Sequence, residues 1–148
     1  MKGKNIKAGT NGETGVLVQK SHIRGNFSYK VNGEQISSTN VEGNIYSYGM
    51  RFMLLMNAND TYSGVWIEVR DDLPEGRHEV VNQQPYLLFE SSDLHQEWIA
   101  TKGFLDFRRG TSGAETTCGG TFELAHDNEG YAKITEGTFK VGYTLDVT

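Results

Sequence analysis

The chain has 148 residues, of which 36% are hydrophobic and 22% are charged. This length suits one domain with a hydrophobic core and is too short for two. Its 19 acidic and 14 basic residues give a formal net charge of −5, which argues against binding to nucleic acid or to anionic membrane surfaces.

Hydropathy and cysteine content indicate whether the chain spans a membrane, contains a disulfide or carries a signal peptide. No apolar run approaches the roughly 20 residues of a membrane-spanning helix, and the longest, Phe52–Met56, suits a strand. The single cysteine, Cys118, has no partner for an intrachain disulfide and is expected to be buried and inert. The early lysines are not followed by an apolar segment, so no signal peptide is expected. The expected location is the cytoplasm, or the cell envelope if a leader has been removed.

Residues 1–15 are predicted to be a disordered tail, because they contain almost no apolar side chain to bury. Residues 16–148 are predicted to form a single domain. Its first strand is predicted at Val16–Lys20, and Ser21–Gly25 is predicted to be a connection.

A hairpin follows this connection. Apolar and polar residues alternate over Phe27–Val31, as they do in a strand with one buried face. Asn32 and Gly33 then supply the two residues with positive φ that a type I′ turn requires. The sequence therefore predicts a tight turn from this strand into Glu34–Ser37, with Gly33 at positive φ.

The middle of the chain contains a second predicted hairpin. After a weak strand at Asn44–Tyr48, Arg51–Asn57 is apolar at odd and even positions, which indicates a central strand buried on both faces. Ser63–Arg70 alternates and is predicted to pair with it. Short strands are predicted next at Arg77–Val81, Pro85–Phe89, Glu97–Lys102 and Gly103–Arg108. Arg109–Gly113 is predicted to be an exposed loop.

The last strand has the clearest pattern. Alternate positions are apolar and are expected to face the core: Phe139, Val141, Tyr143, Leu145 and Val147. The apolar parity changes after Ile134, which predicts a bulge at Glu136 and Gly137. About ten short strands and no long helix predict an all-β fold, an antiparallel β-sandwich, with a β-barrel as the alternative.

Several of these segments occur together in one group of proteins. The sequences FSYKVNGEQIS at Phe27–Ser37, GGTFEL at Gly119–Leu124 and ITEGTFKV at Ile134–Val141 resemble uncharacterised bacterial β-sandwich proteins of Bacteroidetes envelopes. Those proteins pair a GTF strand with an ITxGxF strand near the C-terminus. The likeness extends over about Phe27–Tyr143. It implies the sandwich fold and an envelope location, and it implies no catalytic residue.

No catalytic or metal-binding signature is present, and no cofactor is predicted. The four histidines have no pair at the short spacing of a zinc site, and no nucleophile motif occurs. Asp71, Asp72 and Glu75 share a turn whose oxygens suit calcium, but a solvated turn is the favoured interpretation. The alternative from another functional class is a hydrolase that uses carboxylates on predicted strands: Glu68, Glu90, Asp106 and Glu123.

Aromatic residues on or near strands are the candidate binding residues: Trp66, Tyr46, Tyr48, Tyr62, Tyr86 and Trp98. Exposed rings beside polar side chains stack on sugars or anchor protein partners, whereas buried rings fill a core, which is the favoured interpretation. The sequence predicts a non-enzymatic binding or interaction module for glycan or protein. A further alternative is a structural subunit that oligomerises through Met50–Met56.

Overall fold

The computed structural model describes residues 5–7, 14–19, 22–58 and 60–144. These residues form thirteen antiparallel strands in two sheets and no helix. The two sheets pack face to face and stay open at their edges, so the fold is the predicted β-sandwich and not a barrel. None of the described segments is a helix with the length and apolar character needed to cross a membrane.

The sheets take strands from both ends of the chain. The seven-stranded sheet contains, in spatial order, β1 (Asn5–Lys7), β2 (Thr14–Gln19), β5 (Val41–Tyr46), β6 (Gly49–Ala58), β7 (Thr61–Arg70), β9 (Leu87–Ser91) and β10 (Gln96–Ile99). The six-stranded sheet contains β4 (Glu34–Ser38), β3 (His22–Val31), β13 (Ile134–Thr144), β12 (Glu115–Ala125), β11 (Lys102–Ser112) and β8 (Gly76–Glu79).

The core lies between the two sheets and is rich in aromatic rings. Phe52 and Phe89 from the seven-stranded sheet and Phe107 and Phe122 from the six-stranded sheet are fully buried. Phe52 also packs against Phe139, with ring centroids 5.6 Å apart, and so joins β6 to β13 across the core. Burial of each such ring stabilises the fold by about 1.5–3 kcal/mol.

The predicted turn at Gly33 is confirmed. Asn32 has φ of 50° and Gly33 has φ of 87°, and Val31 pairs directly with Glu34. Both residues therefore adopt the left-handed conformation that Asn and Gly tolerate and other residues resist.

The predicted break in the closing strand is also confirmed. Glu136 has φ of 52°, and the pairing of β13 with β3 shifts register between Thr135 and Thr138. Ile134 and Phe139 both face the core as a result, although they differ in parity. Val141 is buried and Tyr143 is half-buried, whereas the predicted core positions Leu145 and Val147 lie outside the described residues.

Two predicted loops are wrong. His22–Gly25 belongs to β3, and Gly25 lies opposite Val141, where a Cβ would overlap the Lys140 carbonyl oxygen. Glycine at this position allows two strand backbones to approach closely and does not end the strand. Arg109–Ser112 belongs to β11, which pairs with β12 as far as Glu115, so the turn is confined to Gly113 and Ala114.

The predicted tail, residues 1–15, lies mostly outside the described residues. Where it is described, Asn5–Lys7 forms a strand that pairs with Thr14–Val16. For the other positions the disordered tail stays a prediction, as does the single domain over 16–148.

Candidate functional site: a polar cleft beside an arginine and aromatic cluster

The outer face of the seven-stranded sheet carries polar and aromatic side chains at its centre. On β7, Val65 and Ile67 are buried in the core, so Trp66 and Glu68 lie on the opposite face. Glu68 stands directly across from Arg51 of β6. Glu68 is only 3% exposed, which is unusual for a carboxylate on an outer sheet face.

Arg51 is held between two aromatic side chains. Its guanidinium carbon lies 5.1 Å from the ring centre of Trp66 and 4.8 Å from that of Tyr86. One terminal nitrogen, Nη2, donates a hydrogen bond of 3.1 Å to the Tyr86 hydroxyl. The buried Nε has no hydrogen-bond partner among the described residues. The two rings and the Tyr86 hydroxyl thus contribute to holding the guanidinium in place. Desolvation by burial raises the pKa of Tyr86.

A second set of contacts continues the cluster toward the end of β7. The rings of Tyr46 and Tyr48 stack 5.3 Å apart, and the Arg70 guanidinium lies 5.0 Å from the Tyr48 ring centre. Arg70 also pairs with Asp72 at 3.6 Å. Burial, followed by the charge of the Glu68 carboxylate and its hydrogen bond with Tyr48, raises the pKa of the Tyr48 hydroxyl. Glu68 therefore connects the two sets of contacts, because it stands across from Arg51 and is hydrogen-bonded with Tyr48.

A cleft of about 440 Å³ opens beside these residues, between the end of β7, β8 and the segment that leads into β9. Its lining is Glu68, Arg70, Asp72, Leu73, His78, Glu79, Gln84, Pro85 and Tyr86. The buried members are Glu68, Pro85 and Tyr86, and the others are partly or fully exposed. The cleft therefore has a buried carboxylate on its inner side and a polar rim.

The turn that forms one wall of the cleft, residues 71–75, is fastened to the sandwich from several sides. Arg109 donates from Nη2 to the Arg70 carbonyl oxygen at 2.7 Å, and the Glu75 carboxylate accepts from the Arg109 amide. The Asp71 amide donates to the Tyr48 carbonyl at 2.8 Å, and a ring nitrogen of His78 lies 2.6 Å from the Pro74 carbonyl oxygen. These bonds pre-organise the wall before any ligand arrives.

The structure brings together four of the six predicted binding residues: Tyr46, Tyr48, Trp66 and Tyr86. Tyr62 lies at the far end of β7 and is 41% exposed. Trp98 is 4% exposed and stacks on Tyr131 at 5.7 Å in a separate cluster within the core.

Sequence reasoning missed the charged members of this site. Arg51 and Arg70 occupy outward positions on their strands, beside aromatic residues. An arginine on the same strand face as an aromatic residue is the sequence signal that could have indicated them. The sequence indicates Glu68 only as one of four carboxylates on predicted strands. The structure places Glu68 and Glu90 on the outer face of one sheet, and Asp106 and Glu123 on the outer face of the other. These four carboxylates do not share a cleft, and the hydrolase alternative stays a prediction.

Two further possibilities were oligomerisation through β6 and metal binding by clustered carboxylates. Met50–Met56 lies in β6 between β5 and β7, with Met50 in the core and Met53 on the outer face, so oligomerisation through this segment stays a prediction. Within the described part of the chain, no group of three or more His, Cys, Asp or Glu residues is placed to hold a metal ion.

Comparison of the chain with models of protein families, with characterised proteins and with solved structures finds no match. Functional assignment therefore rests on the chemistry of the cleft and of the surrounding surface.

Proposed function

We propose that this chain is a non-enzymatic binding module that holds one or two sugar units of a glycan in the cleft beside Tyr86. The observation that carries the proposal is the Glu68 carboxylate, which is 3% exposed and lines a cleft of about 440 Å³. Natural small-molecule sites have volumes of about 300–1,000 Å³ and use a few well-placed polar groups to orient the ligand.

The polar groups of the cleft suit a ligand rich in hydroxyl groups. A sugar hydroxyl donates one hydrogen bond and accepts others, so a site for it needs acceptors and donors together. Glu68 and Glu79 carry carboxylate oxygens that accept, and Arg70 and Gln84 carry N–H groups that donate; Glu68, Arg70 and Gln84 also have contacts within the chain, and each group has more than one hydrogen-bonding position. Hydrogen bonds to charged groups each contribute about 1.5–3 kcal/mol.

The aromatic residues act in this proposal as rigid supports for the cleft. Tyr86 is 5% exposed, and its ring and hydroxyl contact Arg51, so little of its surface is free for stacking on a sugar. Leu73 and Pro85 supply apolar surface for the C–H groups of a sugar ring. Recognition in this proposal therefore depends on hydrogen bonds to the exposed carboxylates Asp72 and Glu79 and to Glu68, because a hydrogen bond needs only a small exposed part of one oxygen, whereas stacking needs an exposed ring face.

Charge disfavours phosphorylated ligands. Three carboxylates line the cleft, at Glu68, Asp72 and Glu79, against one guanidinium at Arg70, which is already paired with Asp72. The negative charge of these carboxylates would repel a phosphate group bound in the cleft, and the net charge of −5 on the whole chain would add to this repulsion. The glycans expected to bind are neutral or carry an amino group.

The test is a screen of neutral, amino and acidic oligosaccharides, followed by titration calorimetry of any ligand found. Glu68→Gln keeps the side-chain size and an oxygen that accepts from Tyr48, and should weaken binding by about tenfold or more. Glu34→Gln changes the same net charge at an exposed position on the other sheet and should leave affinity unchanged.

Two results would contradict the proposal. One is the absence of binding across the screen, and the other is equal affinity of wild type and Glu68→Gln. Release of reducing ends from a bound glycan, abolished by Glu68→Gln, would instead favour the hydrolase alternative.

A further inference from the structure

A row of apolar side chains crosses the outer face of the seven-stranded sheet. Met53 of β6 stands opposite Trp66 of β7, Trp66 opposite Leu88 of β9, and Leu88 opposite Ile99 of β10. Their chain neighbours, such as Leu54, face the core, so these four point the other way. We call these residues the apolar row. Its length is about 14 Å, because adjacent strands lie about 4.8 Å apart.

Three members of the apolar row remain partly exposed. Met53 is covered, at 5% exposure, whereas Trp66, Leu88 and Ile99 are half-buried. The outer face of an antiparallel sheet is normally polar, so a continuous apolar row on it is the kind of surface that partners use.

Two glutamates stand beside the row. Glu90 and Glu97 are directly opposite each other on β9 and β10, two positions along their strands from Leu88 and Ile99. Trp66 donates from its ring nitrogen to Glu90 at 3.0 Å, so the pair is tied to the row. Like charges directly across a ladder are destabilising, and in the described ranges neither glutamate forms an ion pair.

We propose that the apolar row, together with Glu90 and Glu97, docks a basic amphipathic polypeptide segment of a partner protein. Apolar side chains of the segment would lie on Trp66, Leu88 and Ile99, and its lysine or arginine side chains would neutralise the two carboxylates. Partly exposed tryptophan with apolar neighbours and a charged rim is the composition of an interface hot spot. A second copy of this chain is the poorer occupant, because it brings the same carboxylates and a net charge of −5.

This surface adjoins the glycan cleft without lining it. None of Trp66, Leu88, Ile99, Glu90 and Glu97 lines the cleft, although Trp66 packs on Arg51, which also contacts Tyr86. The docking proposal uses no residue of the cleft lining and predicts peptide binding whether or not a glycan binds.

The test uses a short synthetic peptide of leucine and lysine with apolar residues at helical spacing, labelled for fluorescence anisotropy. A peptide with glutamate in place of lysine is the charge control. The leucine and lysine peptide should bind and should weaken as salt is raised, whereas the glutamate peptide should not bind.

Matched variants separate a specific surface from general attraction to an acidic protein. Glu90→Gln combined with Glu97→Gln should weaken binding by about tenfold or more. Glu34→Gln combined with Glu129→Gln removes the same charge from exposed positions elsewhere and should change affinity by less than about twofold. Ile99→Ser should also weaken binding, whereas Leu94→Ser, at a residue 38% exposed away from the row, should not.

Three outcomes would overturn the proposal. The first is failure of the leucine and lysine peptide to bind, and the second is equal weakening by the two glutamate double variants. The third is a dimer of the free protein that Ile99→Ser dissociates, which would assign the row to a second copy of the chain.

Discussion

The most informative perturbation of this fold is Phe139→Ala, because Phe139 joins the closing strand to both sides of the core. Its side chain is 5% exposed, its ring lies 5.6 Å from that of Phe52 in the opposite sheet, and it lies 6.0 Å from that of Phe122 on the neighbouring strand. Truncation to alanine removes the buried ring and leaves a cavity between three strands. Such Phe→Ala changes cost about 3–5 kcal/mol, and the two lost ring pairs place this one toward the upper end.

The adjacent Lys140 provides the matched control. It is exposed on the outer face of the same strand, so Lys140→Ala should cost less than about 0.5 kcal/mol. A chain of this length has about 7–20 kcal/mol of total stability, so the first loss is a large share of it. Urea unfolding followed by tryptophan fluorescence measures both values. Similar losses for the two variants, or a loss under about 1 kcal/mol for Phe139→Ala, would refute the assignment of Phe139 as a core residue that joins the sheets.

Three further changes test local features. The free energy of unfolding should be about 0.5–1 kcal/mol higher for Glu136→Gly than for Glu136→Ala, as measured in urea. The left-handed φ of 52° costs alanine more than glycine, and the greater entropy of glycine in the unfolded chain offsets part of that difference. Gly33→Val should cost about 1 kcal/mol or more, whereas Gly33→Asn should be tolerated, since φ is 87° there; equal midpoints would count against the turn. Burial raises the pKa of the Cys118 thiol from 9.0 in the unfolded chain to about 11 in the folded protein. The unfolded chain therefore loses this proton at lower pH, so the free energy of unfolding should fall as pH rises from about 9 to about 11. Cys118→Ala should remove this component of the pH dependence, and an identical slope in the variant would contradict it.

Period-two patterns and turn residues were sufficient to predict the sandwich. Val65 and Ile67 alternate with outward residues and lie in the core, and Asn32 with Gly33 forms the expected turn. The parity change before Phe139 predicted the bulge, because only an extra residue brings both apolar sets to one face. Features that depend on one strand are therefore readable from the chain.

Features that depend on the pairing of two distant strands cannot be predicted from these sequence patterns. Gly25 read as part of a loop, because its role is to permit contact with Lys140, more than a hundred residues later. The pairing of Arg51 with Trp66 and Tyr86 depends on the register of β6 with β7 and on the segment that leads into β9. The aromatic residues were visible as candidates, but the buried Glu68 and the cleft beside it result from long-range packing.

The position of β13 has a consequence for the order in which the molecule assembles. In the six-stranded sheet, β4 and β3 come from the first 38 residues and β12, β11 and β8 from the second half of the chain, and β13 is the strand that joins them. During synthesis, β3 has no partner on that side until residues 134–144 have left the ribosome. Such distant pairing slows folding, because the loop must close before its contacts form. Nascent chains stalled before Ile134 should therefore be cleaved readily by protease within β3, and full-length chains held on the ribosome by an added C-terminal linker that brings Thr144 out of the exit tunnel should resist.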